Sequence, residues 1–223
     1  MQTSRTSKTE KGGNFMISKS KHVILACLLI FLLLGCHPGR EKLPMDQNSV
    51  EPGTFVTFKG DRLKLIGTPL SSEKPLPSGQ LMDAMTMKDV DLSQEKGSIL
   101  FLSIVPSLDT PVCEAQTHYL GEKSDKLPKE VRKITISRDT PFAQKRFATE
   151  AKLTNIQYLS DYKEGSFGRA NGLLLDGLML LARSVVLVDK KGIVRYIQVV
   201  PEITHLPDME KAFQKAIELA KEP

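Results

Sequence analysis

The sequence predicts an α/β fold: a mixed β-sheet flanked by helices, with an N-terminal β-hairpin in front of it. Short runs of strand length, apolar or alternating, recur between segments that carry helical start and stop residues. The chain then closes on a second hairpin and a helix. Strand–helix alternation gives parallel neighbours and a hairpin gives antiparallel ones, so the sheet is mixed. Near-continuous apolar strands also need cover on both faces.

The elements follow in chain order. Residues 54–66, TFVTFKGDRLKLI, alternate apolar and polar on both sides of Gly60-Asp61, a hairpin pattern in which glycine supplies positive φ. Residues 81–87 are a weaker strand candidate. Residues 98–105, SILFLSIV, read as a central strand ending at Pro106. A helix is expected from 111 to about 125, a strand over 131–137, and a helix over 141–152 with Thr140 as N-cap and Pro141 in its first position. A strand over 156–160, a short helix over 164–170 and an apolar stretch over 173–182 come next. Residues 184–189 and 192–200 form the second hairpin through Lys190-Lys191-Gly192, and 208–221 form the closing helix.

A chain of 223 residues has room for one well-cored domain and some extra segments. Its formal charge of +5 sits almost wholly at the N-terminus: Arg5, Lys8, Lys11, Lys19 and Lys21 stand against Glu10 alone within residues 1–36. The remainder is close to neutral. It has no Trp, four Tyr and no basic stripe, which sets nucleic-acid binding aside. Residues 23–34, VILACLLIFLLL, are too short for a spanning helix, which takes about 20 residues. Lysines before this run and Gly35-Cys36 after it make a secretory signal over residues 1–35, with Met16 as an alternative start. Leu33-Leu34-Gly35-Cys36 resembles a lipobox, which implies lipidation of Cys36 and a bacterial envelope lipoprotein facing the extracytoplasmic side, held to the membrane by lipid. Residues 37–52, HPGREKLPMDQNSVEP, lack apolar periodicity and read as a flexible tether reaching about 22 Å r.m.s.. The domain is expected over 53–223.

Cys27 leaves with such a signal and Cys36 is consumed by lipid, so of three cysteines only Cys113 remains a free thiol. It follows Pro106-Ser107-Leu108-Asp109-Thr110-Pro111-Val112. With Thr110 capping and Pro111 first, Cys113 is the third helical residue, near unpaired backbone N–H groups and the positive helix end. An ordinary cysteine, with pKa near 8.5, is only about 3 % thiolate at pH 7, and a dipole worth about 0.3–1 kcal/mol changes this by less than tenfold. A cation within about 4–6 Å is required to do more, so an arginine is expected beside the sulfur. Taken alone, a cysteine after a buried strand is more often a small packed hydrophobe, and Arg183 a surface residue at a strand start.

The spacing Pro-x3-Thr-x2-Cys resembles the active-site signature of peroxiredoxins. Residues 107–113 (SLDTPVC), 139–147 (DTPFAQKRF), 180–188 (LLARSVVLV) and 201–203 (PEI) are similar to their thiol peroxidase branch in order and spacing. The resemblance spans about residues 53–220 and implies a thioredoxin-like fold and reduction of hydrogen peroxide and organic hydroperoxides. It further implies Cys113 as the attacking nucleophile and Thr110 as a hydrogen-bonding partner of sulfur and peroxide. Arg183 becomes the activating cation and Pro106 the shield of the site. Arg146 also falls in a motif, although an exposed salt bridge explains it equally well.

One departure is Ala148, which stands where that branch usually has a resolving cysteine. The resemblance therefore implies reduction by an external thiol, a thioredoxin-like donor or a second subunit, and a homodimer. The runner-up reading is a redox sensor or interaction lipoprotein that does not turn over. No cofactor or metal is expected. His118 lies about 140° around the helix from Cys113, and Cys-x2-Cys, Gly-rich phosphate loops and Gly-x-Ser-x-Gly are all missing.

Overall fold

A computed structural model describes residues 43–222. The expected signal, Cys27, Cys36 and residues 37–42 lie outside the described residues. From Leu43 the chain passes through β1 (Met45–Asp46), a hairpin of β2 (Phe55–Phe58) and β3 (Asp61–Ile66), and a second of β4 (Gln80–Asp83) and β5 (Asp89–Asp91). It then alternates through β6 (Ile99–Ile104), α1 (Pro111–Glu122), β7 (Val131–Ser137), α2 (Pro141–Glu150) and β8 (Gln157–Ser160). A short α3 (Ser166–Ala170) and β9 (Leu174–Leu175) precede β10 (Ser184–Val188), β11 (Val194–Val199), β12 (Leu206–Pro207) and α4 (Met209–Ala220).

The main sheet runs β11-β10-β6-β7-β8-β4-β5. Pairing is parallel where a helix returns the chain, β6 with β7 and β7 with β8, and antiparallel elsewhere. The mixed sheet expected from the sequence is the one found. All six residues of β6 are buried, and the two-residue period sorts them between two cores. Ile99 and Phe101 join the core under α1, α2 and α4, where Phe101 meets Phe213 edge to face at 5.3 Å. Leu100, Leu102 and Ile104 join the other, which Val56, Leu65 and Leu173–Leu175 close from the hairpin and its β9 neighbour, with Phe167 of α3. Each such side chain removed from water stabilises the fold by roughly 1.5–3 kcal/mol. Cover on both faces is thus met by helices on one side and chiefly by the small sheet β2-β3-β9 on the other.

Two local expectations are corrected. The tight turn of the first hairpin is Lys59-Gly60 rather than Gly60-Asp61. Both turn residues have positive φ, 53° and 91°, and Asp61 already pairs with Phe58. The expected tether is also corrected in part, because residues 43–52 belong to the domain. Met45 and Asp46 pair in parallel with Leu206 and Pro207, the Val50 N–H donates to Val199 O at 3.0 Å, and Gln198 donates to the Asp46 carbonyl at 2.8 Å. Backbone pairing docks this segment, and backbone pairing leaves no hydrophobic period to read.

Candidate active site

The site is built where β6 ends and α1 begins. β6 delivers the chain to Val105 and the buried Pro106, and a loop then carries it to α1, whose N-cap is Thr110 with Pro111 in the first position. Asp139, just past the end of β7, clamps this loop. Its carboxylate accepts from the Ser107 hydroxyl and the Leu108 N–H, each at 2.7 Å, and from the Ser137 hydroxyl at 2.7 Å. The loop is thereby held at its base while Asp109, Thr110 and Pro111 stay exposed.

Cys113 is fully buried on the sheet-facing side of α1. Arg183, only 2 % exposed, reaches it from just before β10 and donates from Nη2 to Cys113 Sγ at 3.3 Å. An arginine thus stands beside the sulfur, as the sequence led one to expect. Its other nitrogens are also engaged: Nε donates to Ile203 O at 2.8 Å and Nη1 to Gln116 Oε1 at 2.9 Å. Gln116 in turn donates to Ser103 Oγ on β6 at 2.9 Å. A buried guanidinium is tolerated only when its charge is paired and its N–H groups are occupied, and here all three nitrogens find named acceptors. A guanidinium in hydrogen-bonding contact with sulfur stabilises negative charge there and on a leaving oxygen displaced when that sulfur attacks an oxygen–oxygen bond.

Thr110 differs from expectation. Its hydroxyl neither caps α1 nor bonds the sulfur, but donates to Ser107 O at 3.0 Å. That uses its one proton and leaves its oxygen free to accept. Arg146 is more than half exposed and stands 4.0 Å from Asp109, a surface pair beside the site rather than within it. Between the loop and α2 lies a small cleft of about 120 Å³, bordered by Ser107, Leu108, Ala143, Arg146 and Phe147.

Ala148 is buried on α2 in the same apolar cluster as Cys113, and Cys113 is the free cysteine among the described residues. No group of three or more His, Cys, Asp or Glu suited to a metal ion occurs among the described residues. Sequence reasoning missed Gln116, Ser103 and Asp139. Gln116 follows Cys113 by three residues and so shares its helix face, and Ser103 interrupts an otherwise apolar run in phase with Phe101. Asp139 opens the motif over 139–147, but nothing in that motif marks it as a clamp on the loop before α1.

The family described as Redoxin matches residues 71–213. The thiol peroxidase of Halalkalibacterium halodurans is 38 % identical over 161 residues, which cover 72 % of this chain and 96 % of that protein. The thiol peroxidase of Bacillus subtilis is 37 % identical over 166 residues, covering 74 % and 98 %. Among solved structures, a peroxiredoxin-like protein from Aquifex aeolicus superposes with a TM-score of 0.71 at 32 % identity, over 76 % of this chain and 99 % of that one. The thiol peroxidase from Chromobacterium violaceum gives 0.63 at 20 % identity over 76 % and 98 %, a likeness of fold alone.

Proposed function

We propose, from the premise that this chain belongs to the Redoxin family and is a peroxiredoxin-type thiol peroxidase, that Cys113 is its peroxidatic residue and that an external thiol regenerates it. The thiolate attacks one oxygen of the hydroperoxide. A sulfur–oxygen bond forms as the oxygen–oxygen bond breaks, the departing oxygen takes a proton and leaves as water or alcohol, and Cys113 becomes a sulfenic acid. A first external thiol displaces water from that sulfur to give a mixed disulfide. A second releases Cys113 as thiol.

The observation that carries the reading is the 3.3 Å contact between Arg183 Nη2 and Cys113 Sγ. Thr110 offers its free lone pairs to the peroxide O–H, and Pro106 closes the inner side of the site. Cys113 is fully buried while Asp109, Thr110 and Pro111 just before it are exposed, so this reading requires that segment to move aside for peroxide to enter. Ala148 supplies no sulfur, which is why the reductant is assigned outside the chain.

The test is a timed peroxide pulse on the full chain with a sulfenic-acid reagent, read at the Cys113 peptide by mass spectrometry. Trapping at Cys113, followed by repeated peroxide consumption once a dithiol donor is added, is expected. Absence of trapping overturns the assignment of the nucleophile, and a single oxidation with no recovery by any thiol overturns turnover. Lipidation at Cys36, envelope location and a homodimer complete the reading. Cys36→Ser is expected to move the chain from the membrane fraction to the soluble one, and sedimentation reads the assembly.

A further inference from the structure

The hold on Arg183 Nε comes from residues 201–203, and the position of that segment is set from outside the main sheet. Pairing of β10 with β11 ends at Ser184 and Val199, and the Val200 N–H still donates to Arg183 O at 2.9 Å. Beyond Val200 the chain leaves the sheet and is bracketed by β2. The Thr57 N–H donates to Pro201 O at 2.7 Å, and Thr57 O accepts from the Ile203 N–H at 2.9 Å.

Glu202 stands between those two bonds. Its carboxylate accepts five hydrogen bonds: from the backbone N–H of Lys59 (3.1 Å) and Gly60 (3.2 Å), the Thr57 hydroxyl (2.9 Å), and the N–H and hydroxyl of Thr204 (3.1 and 2.8 Å). The first two come from the positive-φ turn of the first hairpin, where successive N–H groups make a concave anion site. A non-glycine residue at φ 53°, as Lys59 is, persists only where its surroundings compensate the strain. On the other side, Asp46 Oδ2 accepts from the Glu202 N–H at 3.4 Å and contacts His205 Nδ1 at 3.1 Å. One carboxylate thus joins the β2–β3 turn to the loop whose Ile203 carbonyl receives Arg183.

We propose that Glu202 is a positioning residue for the peroxidase reaction: by stapling the β2–β3 turn to residues 201–204 it fixes the Ile203 carbonyl, which orients the Arg183 guanidinium toward Cys113. It touches neither sulfur nor peroxide. The proposal rests on the reading of Arg183 as the cation that serves Cys113.

A double-mutant cycle separates this from a role in stability alone. The rate of Cys113 oxidation by hydrogen peroxide is measured in the full chain, by trapping at the Cys113 peptide, for Glu202→Ala with Arg183 present and on an Arg183→Met background. Glu202→Ala is expected to slow oxidation about tenfold when Arg183 is present and less than about twofold when it is not, because the two residues act through one contact. Thr57→Val with Thr204→Val, which removes two donors and keeps the carboxylate, is expected to give about a threefold loss with the same dependence on Arg183. That pair carries the comparison if Glu202→Ala does not fold. Equal losses in both backgrounds, or no loss with Arg183 present, overturn the proposal. An unchanged rate in Arg183→Met alone removes the underlying role of Arg183 and the proposal with it, and that measurement involves no change at Glu202.

Discussion

Arg183 Nη2 lies 3.3 Å from Cys113 Sγ although 70 residues separate them in the chain. The contact exists because β10, which follows Arg183, pairs antiparallel with β6, and β6 leads into the helix that carries Cys113. Ser184 is registered against Ile104, so Arg183 emerges at the same end of the sheet as the start of α1. The guanidinium commits Nε to Ile203 O, Nη1 to Gln116 and Nη2 to the sulfur. Lysine has one nitrogen and cannot span three acceptors set apart in a plane. Both Arg183→Lys and Arg183→Met are therefore expected to slow Cys113 oxidation, by about 10²-fold for Met, the scale seen when one preorganised donor is removed. Rates from peroxide pulses read this, and near-wild-type oxidation by Arg183→Lys would show that charge alone suffices.

Gln116 links the cation to the sheet, accepting from Arg183 and donating to Ser103 while itself fully buried. Gln116→Leu keeps the volume and removes both bonds, leaving the Arg183 Nη1 group and the Ser103 hydroxyl without this partner. An unsatisfied buried group costs about 1–3 kcal/mol, more where it is charged, so the variant is expected to unfold at lower urea and to oxidise more slowly. Paired denaturation and rate measurements check this. A stable variant with an unaltered rate would mean that the guanidinium keeps its orientation from Ile203 alone.

How far the sequence foretold this arrangement depends on the kind of interaction. β6, α1 and the hairpin of β10 and β11 were legible because continuous apolar runs, a Thr-Pro helix start and a Lys-Lys-Gly turn act locally. The need for a cation beside Cys113 was legible from magnitudes, and its identity from a family pattern, since nothing local marks Arg183 as buried. The capping role of Thr110 was misjudged because a hydroxyl before a helix can turn to its own loop carbonyl as readily as to a helical N–H. Asp139 and Glu202 were illegible as clamps. Each acts across long sequence separations, on Ser107 at 32 residues and Thr57 at 145, and a carboxylate that receives backbone N–H groups looks in sequence like any surface acid.

Ala148 lies in the same apolar cluster as Cys113, and both are buried, at 1 % and 0 % exposure. Peroxide treatment of the natural chain is expected to leave Cys113 as a trappable sulfenic acid rather than in a disulfide with another residue of the domain. Ala148→Cys supplies a second sulfur, but a disulfide requires Cβ atoms about 3.8 Å apart and specific torsions, which two sulfurs on packed helices reach only by local opening. A crosslink between residues 113 and 148 is expected to form slowly after oxidation and faster in mild denaturant. Non-reducing peptide mapping detects it. Its failure to form at any denaturant concentration short of unfolding would indicate that α1 and α2 do not open separately from the fold.

The carboxyl of Glu202 is pushed down from an ordinary 4.5 to about 2. Its partial burial by itself raises the value, but the hydrogen bonds from Thr204, the Lys59 N–H and Thr57 favour the ionised form and outweigh that effect. The unfolded chain therefore binds a proton at Glu202 before the folded one does as pH falls. The stability that Glu202 contributes is fully present above pH 4.5 and is lost progressively as pH falls through about 2. Asp83, Asp91 and Asp189, whose carboxyls are also held low by hydrogen bonds, contribute in the same direction, so the pH dependence of the natural chain alone does not isolate Glu202. The difference between the natural chain and Glu202→Gln does, because the other carboxylates cancel. Urea midpoints measured from pH 6 to pH 2 are expected to show a constant gap above about pH 5 that closes toward about pH 2, since an amide side chain in place of the carboxyl cannot titrate. A gap that stays constant over the whole range would mean that the turn N–H groups do not hold the carboxylate in solution, and the link from the β2–β3 turn to Ile203 would lose its electrostatic basis.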